Sequence, residues 1–335
     1  MRFVVASTMA TLAVAAVFAQ PSPPVSHEYA NVNGQRLHYA RAGSGPLIVF
    51  LHGFPEFWYE WKNQIAEFSR DHTVVAPDMR GYNLSSKPAE VSAYQMPSLV
   101  EDVRALASEL MKTAGGTKFT LVAHDWGGVV AWVFAALHPE MLDKLVIVNA
   151  PHPTIFGKLL RDDPGQQKAS GYMLMFRAPE AEVTLSANSY GMLTAAVLGD
   201  GIKNGTVTEA DQKAYVEAWS QPGALTGGLN YYRAAGIGPP RATAQTAATT
   251  TEATTTAAEP PEASAANQLP PLIVRVPTLV IWGEKDTALL TGNLDGLDQV
   301  VPTLTVRRIA EGTHWVVREK PDEVNRLIRE FLAQK

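Results

Sequence analysis

Short continuous apolar runs recur along this chain, and segments with helical periodicity separate most of them. Such runs are typical of strands that are buried on both faces of a parallel sheet. A hairpin is predicted ahead of the first run, because the turn Asn33-Gly34 joins the segments Tyr29–Val32 and Arg36–Tyr39. The predicted buried strands are Leu47–Leu51, Thr73–Ala76, Phe119–Ala123, Leu145–Val148, Thr278–Trp282 and Leu304–Ile309.

Helical patterns occupy the intervals between these strands. Leucine and valine residues spaced three or four apart predict a helix over 99–111, with Ser98 as its N-cap. A second helix is predicted over 127–137 and a third over 321–332, where Pro321 and two acids favour a helix start. Strands that alternate with helices predict an α/β fold, a mostly parallel sheet covered by helices on both faces.

The alternation stops in the middle of the chain. Residues 151–240 are helical in pattern and rich in aromatic side chains, which predicts a helical cap inserted between two parts of the core, 27–150 and 271–335. Residues 241–270 are rich in Ala, Thr, Glu and Pro. Such a segment buries too little apolar surface to offset the entropy of ordering it, so we expect a low-complexity linker.

The first residues have the pattern of a secretory signal. Arg2 precedes an apolar stretch over 3–18, and the small residues Val17 and Ala19 occupy the two positions that a signal peptidase reads. The stretch is shorter than the ~20 apolar residues that a membrane span needs. We therefore expect a signal peptide over 1–19, a secreted or periplasmic protein, and no membrane span after cleavage; an uncleaved anchor helix is the alternative.

The composition excludes several classes of function. The chain has 28 Lys and Arg against 33 Asp and Glu, a formal charge of −5, and no dense basic run, so we expect no nucleic-acid partner. It has no cysteine, which excludes disulfides and thiolate chemistry. Because no spacing of His, Asp and Glu resembles a metal site, we expect neither a metal nor a cofactor.

A candidate nucleophile follows the predicted strand over 119–123 and opens a helix. Small residues at Ala123, Gly127 and Gly128 permit a sharp turn that lifts the side chain of Asp125 into a cleft. Serine holds this position in esterases. A carboxylate is already ionised at neutral pH and needs no base to act as a nucleophile. Asp125 therefore suits attack at a saturated carbon that bears a strained or good leaving group, with an alkyl ester as the product.

Two further groups complete a candidate triad, and each follows a predicted strand. His314 is expected to take a proton from the water that hydrolyses the ester, and Asp286 is expected to hold its imidazole in the required tautomer. The order nucleophile, acid, histidine is that of the α/β-hydrolase triad. The backbone N–H groups of Phe54 and Trp126 are the predicted oxyanion hole.

Together these segments resemble the epoxide hydrolase branch of the α/β-hydrolases, over nearly the whole chain except the signal and the linker. The resemblance implies an α/β-hydrolase fold, an enzyme that acts on a small-molecule epoxide and water, and Asp286 rather than Glu284 as the triad acid. The motifs are AHDWGG from Ala123, HGFPEFWYEW from His52, PDMRGY from Pro77, GEKD from Gly283 and THWVVREKPDEVN from Thr313.

The resemblance also implies two cap tyrosines that donate hydrogen bonds to the epoxide oxygen. The segment around Tyr232 resembles the family segment that carries one of them, and Tyr172 lies where the other is expected. The chain departs from the family pattern at Asn83 and Ala123, where the family usually has glycine.

Other functions stay open. A haloalkane or haloacetate dehalogenase uses the same triad, and the Trp126 indole is compatible with halide binding; the residue after Gly53 is neither Asn nor Trp, which favours the epoxide reaction. A non-catalytic secreted binding protein is the alternative of another class, and the intact triad argues against it. An ordinary esterase has no support, because the position of its nucleophilic serine is occupied by Asp125. His124 and His152 are interpreted as structural.

Overall fold

The computed structural model describes residues 24–240 and 271–334. The predicted signal peptide over 1–19 and the predicted linker over 241–270 lie outside the described residues. Within the described ranges, no helix combines the length and the apolar character that crossing a membrane requires.

A single sheet carries the fold. Its order is β1-β2-β4-β3-β5-β6-β7-β8, for strands β1 Ser26–Val32, β2 Gln35–Ala42, β3 Leu47–Leu51, β4 Thr73–Pro77, β5 Phe119–His124, β6 Leu142–Val148, β7 Thr278–Gly283 and β8 Leu304–Ile309. Strands β3 to β8 are parallel to their neighbours among themselves, and β2 pairs antiparallel with both β1 and β4. The predicted mostly parallel α/β sheet is confirmed.

The predicted hairpin at the start of the sheet is also confirmed. Val32 pairs with Gln35, so the connection between β1 and β2 has two residues. Asn33 and Gly34 have φ angles of +47° and +70°. Positive φ at both positions is the requirement of a type I′ turn, which Asn-Gly meets at little cost.

Helices cover both faces of the sheet. They are α1 Lys62–Phe68, α2 Met96–Ala114, α3 Asp125–Leu137, α4 Pro153–Asp162, α5 Pro164–Ala169, α6 Tyr172–Phe176, α7 Ala181–Leu193, α8 Gly199–Asn204, α9 Glu209–Trp219, α10 Ala224–Ala235, α11 Leu297–Val300, α12 Val316–Glu319 and α13 Pro321–Leu332. Val49 and Leu121 contribute to the core beneath α2 and α3, whereas Ile48 and Val122 contribute to the core beneath α1 and α13. Successive residues of the central strands thus face opposite layers, which explains why those strands are mainly apolar. β8 lies at the edge of the sheet with Arg307 and Arg308 exposed, so the prediction that it is a buried strand was wrong.

One predicted helix start was wrong. α2 begins at Met96, with Gln95 as the flanking residue, so Ser98 lies inside the first turn and does not cap the helix. Pro97 explains the difference, because its fixed φ and missing N–H favour the first turn of a helix. The backbone carbonyl of Ser98 instead accepts a hydrogen bond of 3.2 Å from the amide of Asn33.

Between β6 and β7 the described chain forms helices only, from α4 to α10. α7 is interrupted where Asn188, Ser189 and Tyr190 all have positive φ. A π-helical turn, Thr194–Leu198, joins α7 to α8. The helices of this segment contribute one wall of a cavity whose other wall is the carboxyl edge of the sheet.

Candidate active site

The turn between β5 and α3 holds Asp125 in a strained backbone conformation, with φ of +47°. Gly127 and Gly128 make this turn possible. A Cβ at Gly127 would lie 2.5 Å from the carbonyl oxygens of Leu51 and His52, and one at Gly128 would lie 2.2 Å from the Cβ of Ala150. Both positions therefore require glycine, because the helix start must approach the neighbouring backbone closely. This is the predicted turn that lifts a side chain into a cleft.

The two carboxylate oxygens of Asp125 have different surroundings. Oδ1 accepts a hydrogen bond of 2.7 Å from the backbone N–H of Phe54. Oδ2 lies 3.6 Å from Nε2 of His314. Trp126, the other predicted oxyanion donor, lies in the first turn of α3, where backbone N–H groups have no acceptor within the helix. One oxygen is thus held by a backbone donor, while the other faces the cavity and the imidazole.

His314 and Asp286 come together as the sequence predicted. Nδ1 of His314 lies 2.7 Å from Oδ2 of Asp286. The Asp286 carboxylate also accepts hydrogen bonds of 2.8 Å from the amide of Asn149 and from the backbone N–H groups of Ala288 and Leu289. These donors fix its orientation and stabilise its negative charge. Glu284, the rejected alternative, is exposed and pairs with Arg308 at 3.2 Å.

The charge state of His314 depends on its carboxylate neighbours. Burial disfavours the imidazolium, but Asp286, Asp125 and Glu60 outweigh burial and raise the pKa of His314 to about 9. Burial likewise opposes ionisation of Asp286, yet the contacts with His314 lower the pKa of Asp286 below its ordinary value. The raised pKa favours the imidazolium form of His314 at neutral pH, paired with the Asp286 carboxylate.

Tyr172 and Tyr232 face Asp125 across the cavity, Tyr172 from the start of α6 and Tyr232 from α10. Their rings pack edge to face, with centroids 6.4 Å apart. Burial, with the nearby Asp125 charge adding to it, raises the pKa of both phenols well above its ordinary value. Both tyrosines therefore stay protonated and can act as donors. The ring of Trp126 packs against the ring of Tyr232, with centroids 5.1 Å apart.

The cavity itself has a volume of about 310 Å³. Apart from the groups described above, its lining is almost entirely apolar. The other lining residues are Phe54, Pro55, Met175, Phe176, Leu185, Met192, Leu193, Ala196, Val197, Thr287, Ala288 and Trp315.

Sequence reasoning missed Glu60 and Asn149. Glu60 is buried, and burial raises its pKa to about 8. Its Oε1 lies 2.5 Å from Nδ1 of His124, and Nε2 of His124 is 2.9 Å from the backbone oxygen of His314. A signal existed for Glu60: it is an acid within the aromatic run FWYEW. Asn149 carries no such signal, since it is a polar residue after a strand like many others.

The two histidines interpreted as structural are both buried. Burial lowers the pKa of His124 and of His152 to about 4, so both are neutral at physiological pH. His124 packs against His314 with ring centroids 4.7 Å apart, and His152 packs against Trp132 at 5.1 Å. Among the described residues, no group of three or more His, Cys, Asp or Glu is arranged to hold a metal ion.

Comparisons with known proteins agree with this geometry. Residues 46–321 match the family model described as alpha/beta hydrolase fold. The chain is 34% identical to epoxide hydrolase 4 of Mus musculus, over 92% of this chain and 80% of that protein. It is 38% identical to the AB hydrolase superfamily protein YfhM of Bacillus subtilis (strain 168), over 93% of this chain and 99% of that protein. A crystal structure of Bacillus megaterium epoxide hydrolase in complex with an inhibitor is 36% identical, with a TM-score of 0.77, and the match covers 92% of this chain and 100% of that one.

Proposed function

Because this chain belongs to the epoxide hydrolase branch of the α/β-hydrolase family, we propose that it converts an epoxide and water into a vicinal diol through an ester on Asp125. One observation carries the proposal. A buried carboxylate at a strained turn shares a cavity with two protonated phenols and with an imidazole that a second carboxylate orients. A nucleophile, an electrophilic pair and a base for the water are thus in one place.

In the first step, Oδ2 of Asp125 attacks an epoxide carbon while the bond from that carbon to oxygen breaks. Oδ1 is held by the N–H of Phe54, so Oδ2 is the free nucleophile. Negative charge develops on the epoxide oxygen, and the hydroxyls of Tyr172 and Tyr232 stabilise it and supply a proton. The ester that results has its carbonyl oxygen already bound to the backbone of Phe54.

The second step follows from the loss of charge on Asp125. An ester is neutral, so the imidazolium of His314 loses one of the carboxylates that raised its pKa and gives its proton to the tyrosinate. The neutral imidazole, oriented by Asp286, then takes a proton from water, whose oxygen attacks the ester carbonyl carbon. The ester C–O bond breaks, the diol oxygen takes the proton from His314, and the proton left on Asp125 returns the imidazole to its charged form.

The lining of the cavity supports a neutral substrate with apolar substituents. It presents aromatic, aliphatic and methionine side chains, and no lysine or arginine is among the lining residues. An epoxide with an aryl or alkyl group can bury that group against Phe176 and Leu185. A carboxylate in the same place would lack a charged partner.

Dehalogenation is the competing reaction, since it uses the same triad and ester. The indole of Trp126, which could hold a halide, packs against the ring of Tyr232, with centroids 5.1 Å apart. Two phenols at the reacting end of the cavity suit an alkoxide that must be protonated, whereas a halide leaving group needs no acid. These observations favour the epoxide reaction over dehalogenation and over a non-catalytic binding role.

The test is Asp125→Asn against wild type, assayed on aryl epoxides and on matched haloalkanes. We expect diol from the epoxides with wild type, an ester on Asp125 detectable by mass spectrometry after rapid acid quench, and neither with the variant. Halide release without diol would establish dehalogenation instead. Biological activity that persists in Asp125→Asn would favour the binding protein.

We also propose that the chain is exported and that residues 1–19 are removed, on the sequence pattern of that segment. The test is N-terminal sequencing of the protein recovered from its native host. A new N-terminus at Gln20 supports export with cleavage, and an intact Met1 contradicts it.

A further inference from the structure

A second cavity, of about 270 Å³, lies beside the active site. It shares Thr287, His314 and Trp315 with the substrate cavity, together with the π-helical turn residues Ala196 and Val197. His314 is thus part of the wall between the two cavities. Trp315 connects this wall to the π-helical turn, because its indole N–H donates a hydrogen bond of 3.0 Å to the carbonyl of Ala196.

The two cavities differ in their lining. The residues that line the second cavity and not the first are mainly charged or polar: Asp200, Gly201, Lys285, Thr313, Arg318 and Glu319. A polar cavity of this size holds water that makes several hydrogen bonds, whereas an apolar cavity stays dry. The second cavity is therefore suited to water, and the first to an apolar ligand.

The second cavity also reaches solvent. The side chains of Asp200 and Lys285 are exposed to 74% and 55%, which places them at its rim. Thr313 lies deeper, where its N–H and hydroxyl donate to the Glu319 carboxylate at 2.9 and 2.7 Å. A polar path thus runs from the rim at Asp200 to His314.

The chemistry requires such a path. Each turnover consumes one water, and it must reach His314 while the bound alkyl group of the ester still occupies the apolar cavity. We propose that the polar cavity is the water site of the enzyme, through which His314 receives the water that hydrolyses the ester. This inference rests on the proposed function, since only an ester intermediate has to wait for water.

The proposal can be tested by placing a bulky side chain at the opening of the second cavity. Asp200 is exposed, lies on α8, and pairs with Lys203 at 2.8 Å on the same helix. Asp200→Trp should cover the opening without entering the substrate cavity, because Asp200 does not line that cavity. Lys203→Trp is the matched control, since Lys203 is on the same exposed helix and lines neither cavity, and Asp200→Ala removes the same charge while opening the rim.

The readout is single-turnover kinetics with p-nitrostyrene oxide, following ester formation and ester hydrolysis separately by rapid acid quench and mass spectrometry. In Asp200→Trp we expect ester formation to stay within about twofold of wild type and ester hydrolysis to slow by about fivefold or more. The ester should then accumulate, so kcat and KM should fall together. Both control variants should resemble wild type.

Four results would overturn the inference. The rate of ester hydrolysis could be the same in Asp200→Trp as in wild type. It could also be as slow in Lys203→Trp as in Asp200→Trp. The ester could fail to accumulate while diol release slows, which would make the cavity a product exit. A wild-type protein that forms no ester would overturn the proposed function and this inference together. If wild type forms and hydrolyses the ester and Asp200→Trp does so at the same rates, only this inference is overturned.

Discussion

At the scale of single residues, the charge of His314 is set by its neighbours and should change when one of them is neutralised. Asp125→Asn removes a carboxylate that lies 3.6 Å away, so the imidazolium loses stabilisation and its pKa should fall below about 9. We expect a decrease of about one unit or more. Titration of the ¹⁵N-labelled imidazole by NMR measures it directly, with exposed Asp298→Asn as the control.

The direction of this change matters for mechanism, because it imitates what ester formation does to the site. A lower pKa in Asp125→Asn means that the ester form of the enzyme holds a neutral base at a pH where the free enzyme holds an imidazolium. An unchanged pKa of His314 in Asp125→Asn would contradict the proposal that ester formation converts the imidazolium of His314 into a neutral base.

The two cap tyrosines make a second prediction at this scale. Removing one phenol donor from an oxyanion typically costs about 10²–10³ in rate. Tyr232→Phe should therefore slow ester formation by about a hundredfold, Tyr172→Phe should slow it as well, and the double variant should be nearly inactive in this step. Stopped-flow measurement of ester formation is the assay.

Tyr231 provides the matched control, since it is adjacent in sequence and equally buried. Its hydroxyl donates to the backbone carbonyl of Arg80 at 2.9 Å and not into the cavity. Tyr231→Phe should therefore lower stability and leave ester formation unchanged. A slow ester formation in Tyr231→Phe, or a normal one in Tyr232→Phe, would reject the assignment.

Which of these residues could be foreseen depends on how local their signals are. Asp125, Asp286 and His314 each follow a predicted strand within a few residues, and parallel strands bring their carboxyl ends to one edge, so the sequence suffices to bring them together. Glu60 and Asn149 act through partners that are distant in sequence. Only the packed structure shows those contacts.

At the scale of elements, Arg318 on α12 joins the core to the cap through a buried ion pair and two hydrogen bonds. Arg318 donates to Oε1 of Glu56 at 2.6 Å, to the carbonyl of Val197 in the π-helical turn, and to the hydroxyl of Tyr215 at 3.2 Å. The Tyr215 hydroxyl in turn donates to Glu56. A single guanidinium thus joins the loop after β3, the helix after His314 and two parts of the cap.

Breaking this pair should be costly. Arg318→Met leaves the buried Glu56 without its cation and should reduce the free energy of unfolding by about 3–5 kcal/mol. Adding Glu56→Gln should recover part of that loss, since no uncompensated charge remains. Urea unfolding measures both, and Arg326→Met, which removes an exposed pair with Glu330, should cost at most about 0.5 kcal/mol. Similar losses for Arg318→Met and Arg326→Met would show that the buried pair has no special role.

The elements differ in how well the sequence defined them. Strands β3, β4, β5 and β7 have mainly apolar runs bounded by polar turns, and the structure places β3 and β8 at the predicted bounds. The sequence of the cap has no pattern that defines the bounds of its helices as well. Its α7 is interrupted by three residues with positive φ, and a π-helical turn follows. Neither feature has a clear local sequence signal: of Asn188, Ser189 and Tyr190, only Asn188 is of a residue type that adopts positive φ readily.

At the scale of the whole molecule, charge should decide which epoxides are accepted. The chain has a formal charge of −5, and the substrate cavity holds no lysine or arginine among its lining residues. An anionic substrate is repelled by the overall field and must also give up its hydration inside the cavity, where the imidazolium of His314 is already paired with Asp286. A neutral substrate meets neither obstacle.

Phenylglycidate and its methyl ester test this with one epoxide in two charge states. We expect kcat/KM for the anion to be lower by about a hundredfold or more, since burying an unpaired carboxylate costs several kcal/mol. The value for the neutral methyl ester should change by less than about twofold between low and high salt, because screening acts only on charges. Equal rates for the two forms would mean that the substituent stays in solvent during the reaction, and the apolar cavity would then not be where the substrate binds.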